Sequence, residues 1–184
     1  MSRPHRSEPV KLMASVLAAD RLLIESAIGE LAGRYGRPDF LSSYLPFPYT
    51  DYYRDEMGEP LERRFISFEE LIDPERLPAI KIDTNMIEDL FREQGARKVN
   101  IDPGYISAYN LILATGKAYA HRPYLRDGIY ADLTLIYRDG GFRSLEWTYP
   151  DYAGSDVRCV LEKVRERYIV QTKELRRQAP VSAD

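Results

Sequence analysis

A short polar segment in the second half of the chain concentrates side chains that could bind an anion. Within ten residues it holds four basic or titratable side chains and two interleaved tyrosines: Lys117, Tyr119, His121, Arg122, Tyr124 and Arg126. Guanidinium groups bind phosphates and carboxylates through paired hydrogen bonds, and an imidazole can transfer a proton near neutral pH. The pattern predicts an anion site in which His121 is the candidate catalytic acid or base. A solvated loop, whose cations pair with Asp127 and Asp132, is the alternative.

Acidic and aromatic side chains on either side of this segment could complete the site. Asp102 precedes it, Asp132 follows it, and Glu146 lies further along the chain. Carboxylates can bind Mg²⁺ through oxygen, but they more often cap turns or line a solvated strand face, so no metal is predicted. The aromatic run from Trp147 to Tyr152 could stack against a base or sugar, or it could cover the core.

These observations select seven candidate ligand-binding residues: Asp102, Lys117, Arg122, Tyr124, Arg126, Asp132 and Trp147. Because side chains along a loop alternate in direction, the three cations need not all face one ligand. We predict that Lys117 and Arg122 bind it, with His121 beside them and Tyr124 anchoring the loop to the sheet. The pattern identifies no cofactor, and it leaves both catalysis and simple binding open.

Two apolar, β-rich runs flank the polar segment and must position it. They are Asn110–Thr115 and residues 129–137, and the second has the composition of a strand. We predict that the two runs pair in one sheet, which places the basic segment at the end of that sheet. A helix over residues 106–115 is the alternative.

The rest of the pattern predicts an α+β fold. The first hundred residues predict strand, helix, strand, strand, helix and strand. They begin with the continuous apolar run Val10–Ala18 and a helix that is capped by Asp20 and ended by Gly36. This order is that of split βαβ, ferredoxin-like folds. The Asp-Gly-Gly sequence at residues 139–141 predicts a hairpin turn, so an antiparallel hairpin or meander is expected to extend the ferredoxin-like first half. A C-terminal helix is predicted to begin at Ser155.

The tripeptide Asp102-Pro103-Gly104 predicts a tight turn just before the first of these β-rich runs. Proline fixes one φ angle, and glycine permits a positive one. Gly104 is therefore expected to be required for its backbone conformation.

Four stretches carry a resemblance to a known family: TDYYRDEMG (residues 50–58), VNIDPGYIS (99–107), AHRPYLRDGIYADLTLIY (120–137) and WTYPDY (147–152). With them, the chain resembles a bacterial and archaeal family known as domain of unknown function 4416. The resemblance implies no particular activity, cofactor or partner. The sequence has no Gly-x-x-x-x-Gly-Lys-Ser/Thr phosphate-binding loop, because the fragment at residues 114–117 lacks the leading glycine and the following hydroxyl.

Length and composition are typical of one globular domain, with 184 residues of which 44% are apolar. We expect a disordered start over residues 1–9, a single α+β domain over residues 10–176 and a flexible tail over residues 177–184.

Charge and cysteine content restrict the partners and the compartment. A net charge of −3 and a pI of about 5.6 argue against a broadly basic nucleic-acid binder, so DNA is not an expected partner. No apolar run is long enough to span a bilayer, and no membrane partner is expected. The single cysteine, Cys159, predicts a reduced, cytoplasmic environment.

Together these features predict a small cytoplasmic protein that binds an anionic, phosphorylated or nucleotide-like molecule. The alternative is a non-catalytic module that binds RNA or a protein partner, because fourteen tyrosines offer surfaces on which bases could stack.

Overall fold

The computed structural model describes residues 6–49 and 54–178. Its strands are β1 (Val10–Ala18), β2 (Pro38–Leu41), β3 (Leu45–Pro46), β4 (Glu62–Ile72), β5 (Arg92–Glu93), β6 (Ala96–Arg97), β7 (Val99–Ile106), β8 (Asn110–Thr115), β9 (Tyr124–Arg126), β10 (Ile129–Arg138) and β11 (Gly141–Ser144). Its helices are α1 (Arg21–Tyr35), α2 (Arg54–Met57), α3 (Leu77–Leu90), α4 (Pro150–Ala153) and α5 (Ser155–Gln178). A 3₁₀ turn, Pro74–Arg76, precedes α3. The predicted α+β class is confirmed.

Most of the strands form one antiparallel sheet, in the order β11-β10-β8-β7-β1-β4-β2. Near its margins β3 pairs with β4, and β9 pairs with β10. β5 and β6 form a separate two-stranded hairpin. β1 has the bounds that the sequence predicts, and every one of its residues is buried.

Helices cover both faces of the sheet, because successive residues of a strand point to opposite sides. Leu12 and Val16 of β1 pack with apolar residues of α1 and α3 on one face. Met13 packs with Leu161 and Val164 of α5 on the other face. A charged side chain on a central strand is therefore surrounded by protein unless the helices leave a gap.

α1 begins and ends where the sequence predicts. The side chain of Asp20 accepts a hydrogen bond from the Leu22 N–H at 2.8 Å, as an N-cap should. Gly36 ends the helix with a φ of +87°, a conformation that glycine adopts without strain.

The two β-rich runs that flank the basic segment pair with each other as β8 and β10. The prediction that they share a sheet is confirmed, and the alternative helix over residues 106–115 is wrong. β10 continues into β11 through a two-residue turn, in which Asp139 and Gly140 both have positive φ, as the Asp-Gly pair favours.

The predicted turn at residues 102–104 is wrong, because these residues lie inside β7. Gly104 does not have a positive φ; instead, β8 passes very close to it. A Cβ atom on Gly104 would lie 2.4 Å from the Ile112 carbonyl oxygen and 2.7 Å from Leu113 Cδ2. Glycine is required here for the close approach of two strands and not for its backbone conformation.

Parts of the predicted disordered start and flexible tail, residues 1–5 and 179–184, lie outside the described residues. α5 continues as far as Gln178. Its Tyr168 hydroxyl donates a hydrogen bond to the Pro9 carbonyl at 3.1 Å, which joins this helix to the residues just before β1. The division of the chain into a start, one domain and a tail stays a prediction.

Candidate functional site

The central sheet forks between β7 and β8, and the fork opens a cleft. The two strands pair only over residues 104–106 of β7 and residues 111–113 of β8. The first half of β7 stays with β1, while the end of β8 stays with β10. Pro103 favours this separation because it has no N–H to donate across the ladder. The cleft has a volume of about 650 Å³, which is the size of a small-molecule site.

Side chains of α3 occupy the edge of β7 that the fork leaves without a neighbouring strand. Lys81 Nζ donates to the Ile101 carbonyl at 2.8 Å, and the Ile101 N–H donates to Glu88 Oε1 at 2.7 Å. Burial raises the pKa of the Glu88 carboxyl, and nearby Asp102 adds to this, while Lys81 acts in the opposite direction. Because the buried backbone groups of Ile101 are satisfied in this way, the fork is a stable feature of the fold.

Charged and aromatic side chains dominate the lining of the cleft. Five basic and four acidic residues contribute: Arg63, Lys81, Arg97, Lys117, Arg122, Glu88, Asp102, Asp132 and Asp151. Tyr49 and Tyr149 are aromatic members of the lining whose side chains remain about half exposed. The cleft therefore offers directed hydrogen-bond donors, acceptors and aromatic surface to a polar ligand.

The Arg122 guanidinium is held on three sides. Its Nε donates to Asp132 Oδ2 at 2.8 Å, one terminal nitrogen donates to the Lys117 carbonyl at 3.2 Å, and the other donates to the Tyr149 hydroxyl. The Arg122 side chain is only 7% exposed. Within the described part of the chain, these bonds use three of its five N–H groups, so two remain.

A buried ion pair lies deeper in the cleft. Arg63 of β4 contacts Asp151 of α4, with 2.6 Å between the nitrogen and the oxygen. The guanidinium carbon lies 4.4 Å from the centroid of the Phe47 ring and 5.1 Å from that of Tyr152. These rings stabilise the cation while excluding water from it. The pair joins the central sheet to α4 and so fixes one wall of the cleft.

Four of the predicted ligand residues lie together in this cleft: Asp102, Lys117, Arg122 and Asp132. Asp132 is buried on β10 and orients Arg122, and Lys117 follows the end of β8. The sequence grouped these residues by charge, and the pairing of β8 with β10 brings them together in space.

His121 and Trp147 line a second groove, of about 820 Å³, which shares Arg122 and Tyr149 with the cleft. The His121 ring stacks on the Trp147 ring, with 5.0 Å between centroids and 12° between planes. His121 Nε2 lies 3.6 Å from Asp132 Oδ2, which is beyond a hydrogen bond. The His121 ring and Arg122 line the same groove. The catalytic role of His121 stays a prediction.

Arg126 and Tyr124 lie on β9, and neither is among the residues that line the cleft. Arg126 donates to the Glu75 carbonyl at 3.0 Å, and the Tyr124 ring contacts the ring of Tyr130. β9 folds back along β10 and carries both side chains away from Lys117.

The carboxylates that were considered as magnesium ligands do not converge. Asp102 and Asp132 line the cleft, whereas Glu146 lines the second groove. Among the described residues, no group of three or more histidine, cysteine, aspartate or glutamate side chains is arranged to hold a metal ion.

Sequence reasoning missed several residues of the cleft, above all Arg63 and Asp151. Arg63 points to the same face of β4 as Phe65, a face that the structure buries. A charge between apolar residues on a strand covered on both faces must find a partner, which is a signal that could have identified it. Asp151 and Tyr152 belong to the aromatic run that was predicted either to stack against a ligand or to cover the core. Both lie on α4 and are buried, and Tyr152 packs in the core.

The chain forms an α+β fold with a small-molecule-sized cleft, lined by charged and aromatic residues, in a forked antiparallel sheet. The family model described as domain of unknown function (DUF4416) matches residues 8–168. The chain belongs to this family. No curated protein and no solved structure gives a significant match.

Within residues 6–49 and 54–178, no helix combines the length and the apolar character that crossing a membrane requires.

Proposed function

We propose that this protein binds a small phosphorylated or otherwise anionic molecule in the cleft, with Arg122 and Lys117 as the anion contacts. Arg122 carries the proposal, because its guanidinium is fixed on three sides, lines the cleft and retains two N–H groups for a ligand. A guanidinium that is already oriented loses little conformational freedom when it binds a phosphate or carboxylate. Lys117, exposed at the end of β8, supplies a second cation at the same cleft.

The cleft would recognise its anionic ligand through the fixed direction of its guanidinium N–H donors more than through an excess of positive charge. Asp132 already pairs with Arg122, and Asp151 already pairs with Arg63. A diffuse cationic surface would attract any polyanion, whereas paired and oriented guanidinium groups select ligands of a matching shape. This favours a small molecule over a nucleic-acid backbone.

The aromatic part of the lining supports a nucleotide-like or sugar-containing ligand. Tyr49 is 47% exposed and Tyr149 is 46% exposed, so the rings of both cleft residues are accessible. Bases and sugar faces pack well on such rings.

We also propose that the first half of the sheet is ferredoxin-like and that the protein is cytoplasmic. The strand order β7-β1-β4-β2, with α1 following β1 and α3 preceding β7, supports a ferredoxin-like first half. The single cysteine, Cys159, supports a cytoplasmic location.

Calorimetric titration with inorganic phosphate tests the proposal. Lys117→Ala and Arg122→Lys are each expected to weaken phosphate binding by about tenfold, because each removes a charged hydrogen bond to the anion. Arg126→Ala is the matched control, since Arg126 comes from the same segment but contacts the Glu75 carbonyl away from the cleft.

Equal affinities for Lys117→Ala, Arg122→Lys and Arg126→Ala would contradict the assignment. Folding of each variant is checked by its thermal unfolding midpoint, because Arg122 also compensates the buried Asp132. If the wild type binds no small anion, the partner-binding alternative gains support.

One observation favours that alternative. Ile82, Met86 and Leu90 recur every fourth residue along α3, and their side chains are 38%, 47% and 62% exposed. Such a stripe is a typical contact surface for a protein partner. Binding of a partner at this stripe would leave the cleft free.

A further inference from the structure

We infer that Asp102 recognises a hydroxyl group of the ligand, so that the ligand is a phosphorylated or carboxylated polyol, such as a sugar phosphate. This inference rests on the proposed function and specifies the substrate class of the same cleft.

Three of the four carboxylates form ion pairs: Asp151 with Arg63 at 2.6 Å, Asp132 with Arg122 at 2.8 Å, and Glu88 with Arg97 at 3.4 Å. Asp102 is the exception, because no lysine, arginine or histidine of the described chain forms an ion pair with it. Arg63 attracts Asp102 electrostatically, but its ion pair is with Asp151. The half-buried Asp102 carboxylate is therefore left without a hydrogen-bonded cation, which is costly to maintain. Its presence in a cleft whose other carboxylates are compensated points to a partner supplied by the ligand.

One oxygen of the Asp102 carboxylate is held by a hydrogen bond, and the other can accept a hydrogen bond from a ligand. Asp102 Oδ2 accepts a hydrogen bond from Asn100 Nδ2 at 2.8 Å, and this bond fixes the orientation of the carboxylate. No hydrogen bond within the described chain engages Oδ1. Asp102 lies on the part of β7 that has separated from β8, and it lines the cleft. A ligand in the fork can therefore reach it.

The surrounding charge decides which donor Asp102 takes. An ammonium group on the ligand would enter a cleft in which five basic side chains outnumber four carboxylates, so the net positive charge of the lining would oppose it. A divalent metal ion would need several oxygen ligands, and no such cluster exists among the described residues. A hydroxyl group carries no charge, and it donates a strong hydrogen bond to a carboxylate.

A matched pair of ligands tests the inference. Propyl phosphate and glycerol 3-phosphate carry the same three-carbon chain and phosphate charge, and they differ in two hydroxyl groups. Calorimetry on the wild type is expected to show glycerol 3-phosphate binding about tenfold more tightly than propyl phosphate. Asp102→Ala should abolish most of this preference, and Asp102→Asn should reduce it, because a neutral amide oxygen accepts a weaker hydrogen bond than a carboxylate. Asp139→Asn, on an exposed turn, is the control that should retain it.

The outcomes separate this inference from the function on which it rests. Equal affinity of the wild type for the two phosphates, or a preference that persists in both Asp102 variants, would overturn the role of Asp102 while leaving the anion site intact. If neither phosphate binds the wild type, the proposed function fails together with the inference.

Discussion

Replacing Asp151 with alanine is expected to lower the free energy of unfolding by about 3–5 kcal/mol, because it leaves a buried guanidinium without its counter-ion. The side chains of Arg63 and Asp151 are 5% and 9% exposed. The rings of Phe47 and Tyr152 pack around the Arg63 guanidinium and hinder its rearrangement into a hydrated position. Urea unfolding of the wild type and the variant measures the difference.

Two further variants identify the cause of that loss. The double variant Arg63→Met with Asp151→Leu removes both charges and should recover most of the stability that Asp151→Ala loses. Asp139→Asn removes a charge whose pairing with Arg138 is exposed while tolerating the positive φ of this turn residue, and it should cost less than about 1 kcal/mol. A loss for Asp151→Ala no larger than that for Asp139→Asn would show that the buried pair does not stabilise the cleft wall.

Substitution of Gly104 should have the next largest effect. Gly104→Ala is expected to lower the free energy of unfolding by about 3 kcal/mol, because the new Cβ must displace the backbone of β8. Gly33→Ala on α1 is the control, since nothing lies within 4 Å of its Cβ position. It should stabilise the protein by about 1 kcal/mol through helix propensity alone.

A third variant distinguishes a crowded strand from a tight turn at Gly104. Asparagine tolerates a positive φ better than most residues do, so it would be a mild substitution in a turn. In a strand, Gly104→Asn places a still larger side chain against Ile112 and should cost at least as much as Gly104→Ala. Thermal or urea unfolding in which Gly104→Asn is markedly the milder change would refute the strand assignment.

Elements with local signals were predictable from the sequence. The bounds of β1 follow from one apolar run, those of α1 from Asp20 and Gly36, and the β10–β11 turn from its Asp-Gly pair. The fork was not predictable in this way. Pro103 and Gly104 favour a turn in isolation, and only the passage of β8 beside Gly104 shows that they belong to a strand.

The candidate site was predictable only in part, because nearness in sequence is a poor guide to nearness in space. Lys117 and Arg122 reach the cleft, whereas Arg126 of the same segment is turned away by β9. Arg63 and Asp151 are distant in sequence from the basic segment, and they meet because β4 and α4 pack across the sheet. No periodicity within one element could reveal that contact.

A spectroscopic titration tests the central claim, that the cleft binds an anion through Arg122 and Lys117, most directly. Backbone amide and arginine Nε signals of ¹⁵N-labelled protein are followed as inorganic phosphate is added. We expect saturable shifts at Gly116, Lys117 and the Arg122 Nε, with the Arg126 Nε unchanged as the internal control. Shifts confined to the exposed stripe of α3, or no saturable shift at residues of the cleft, would contradict the account.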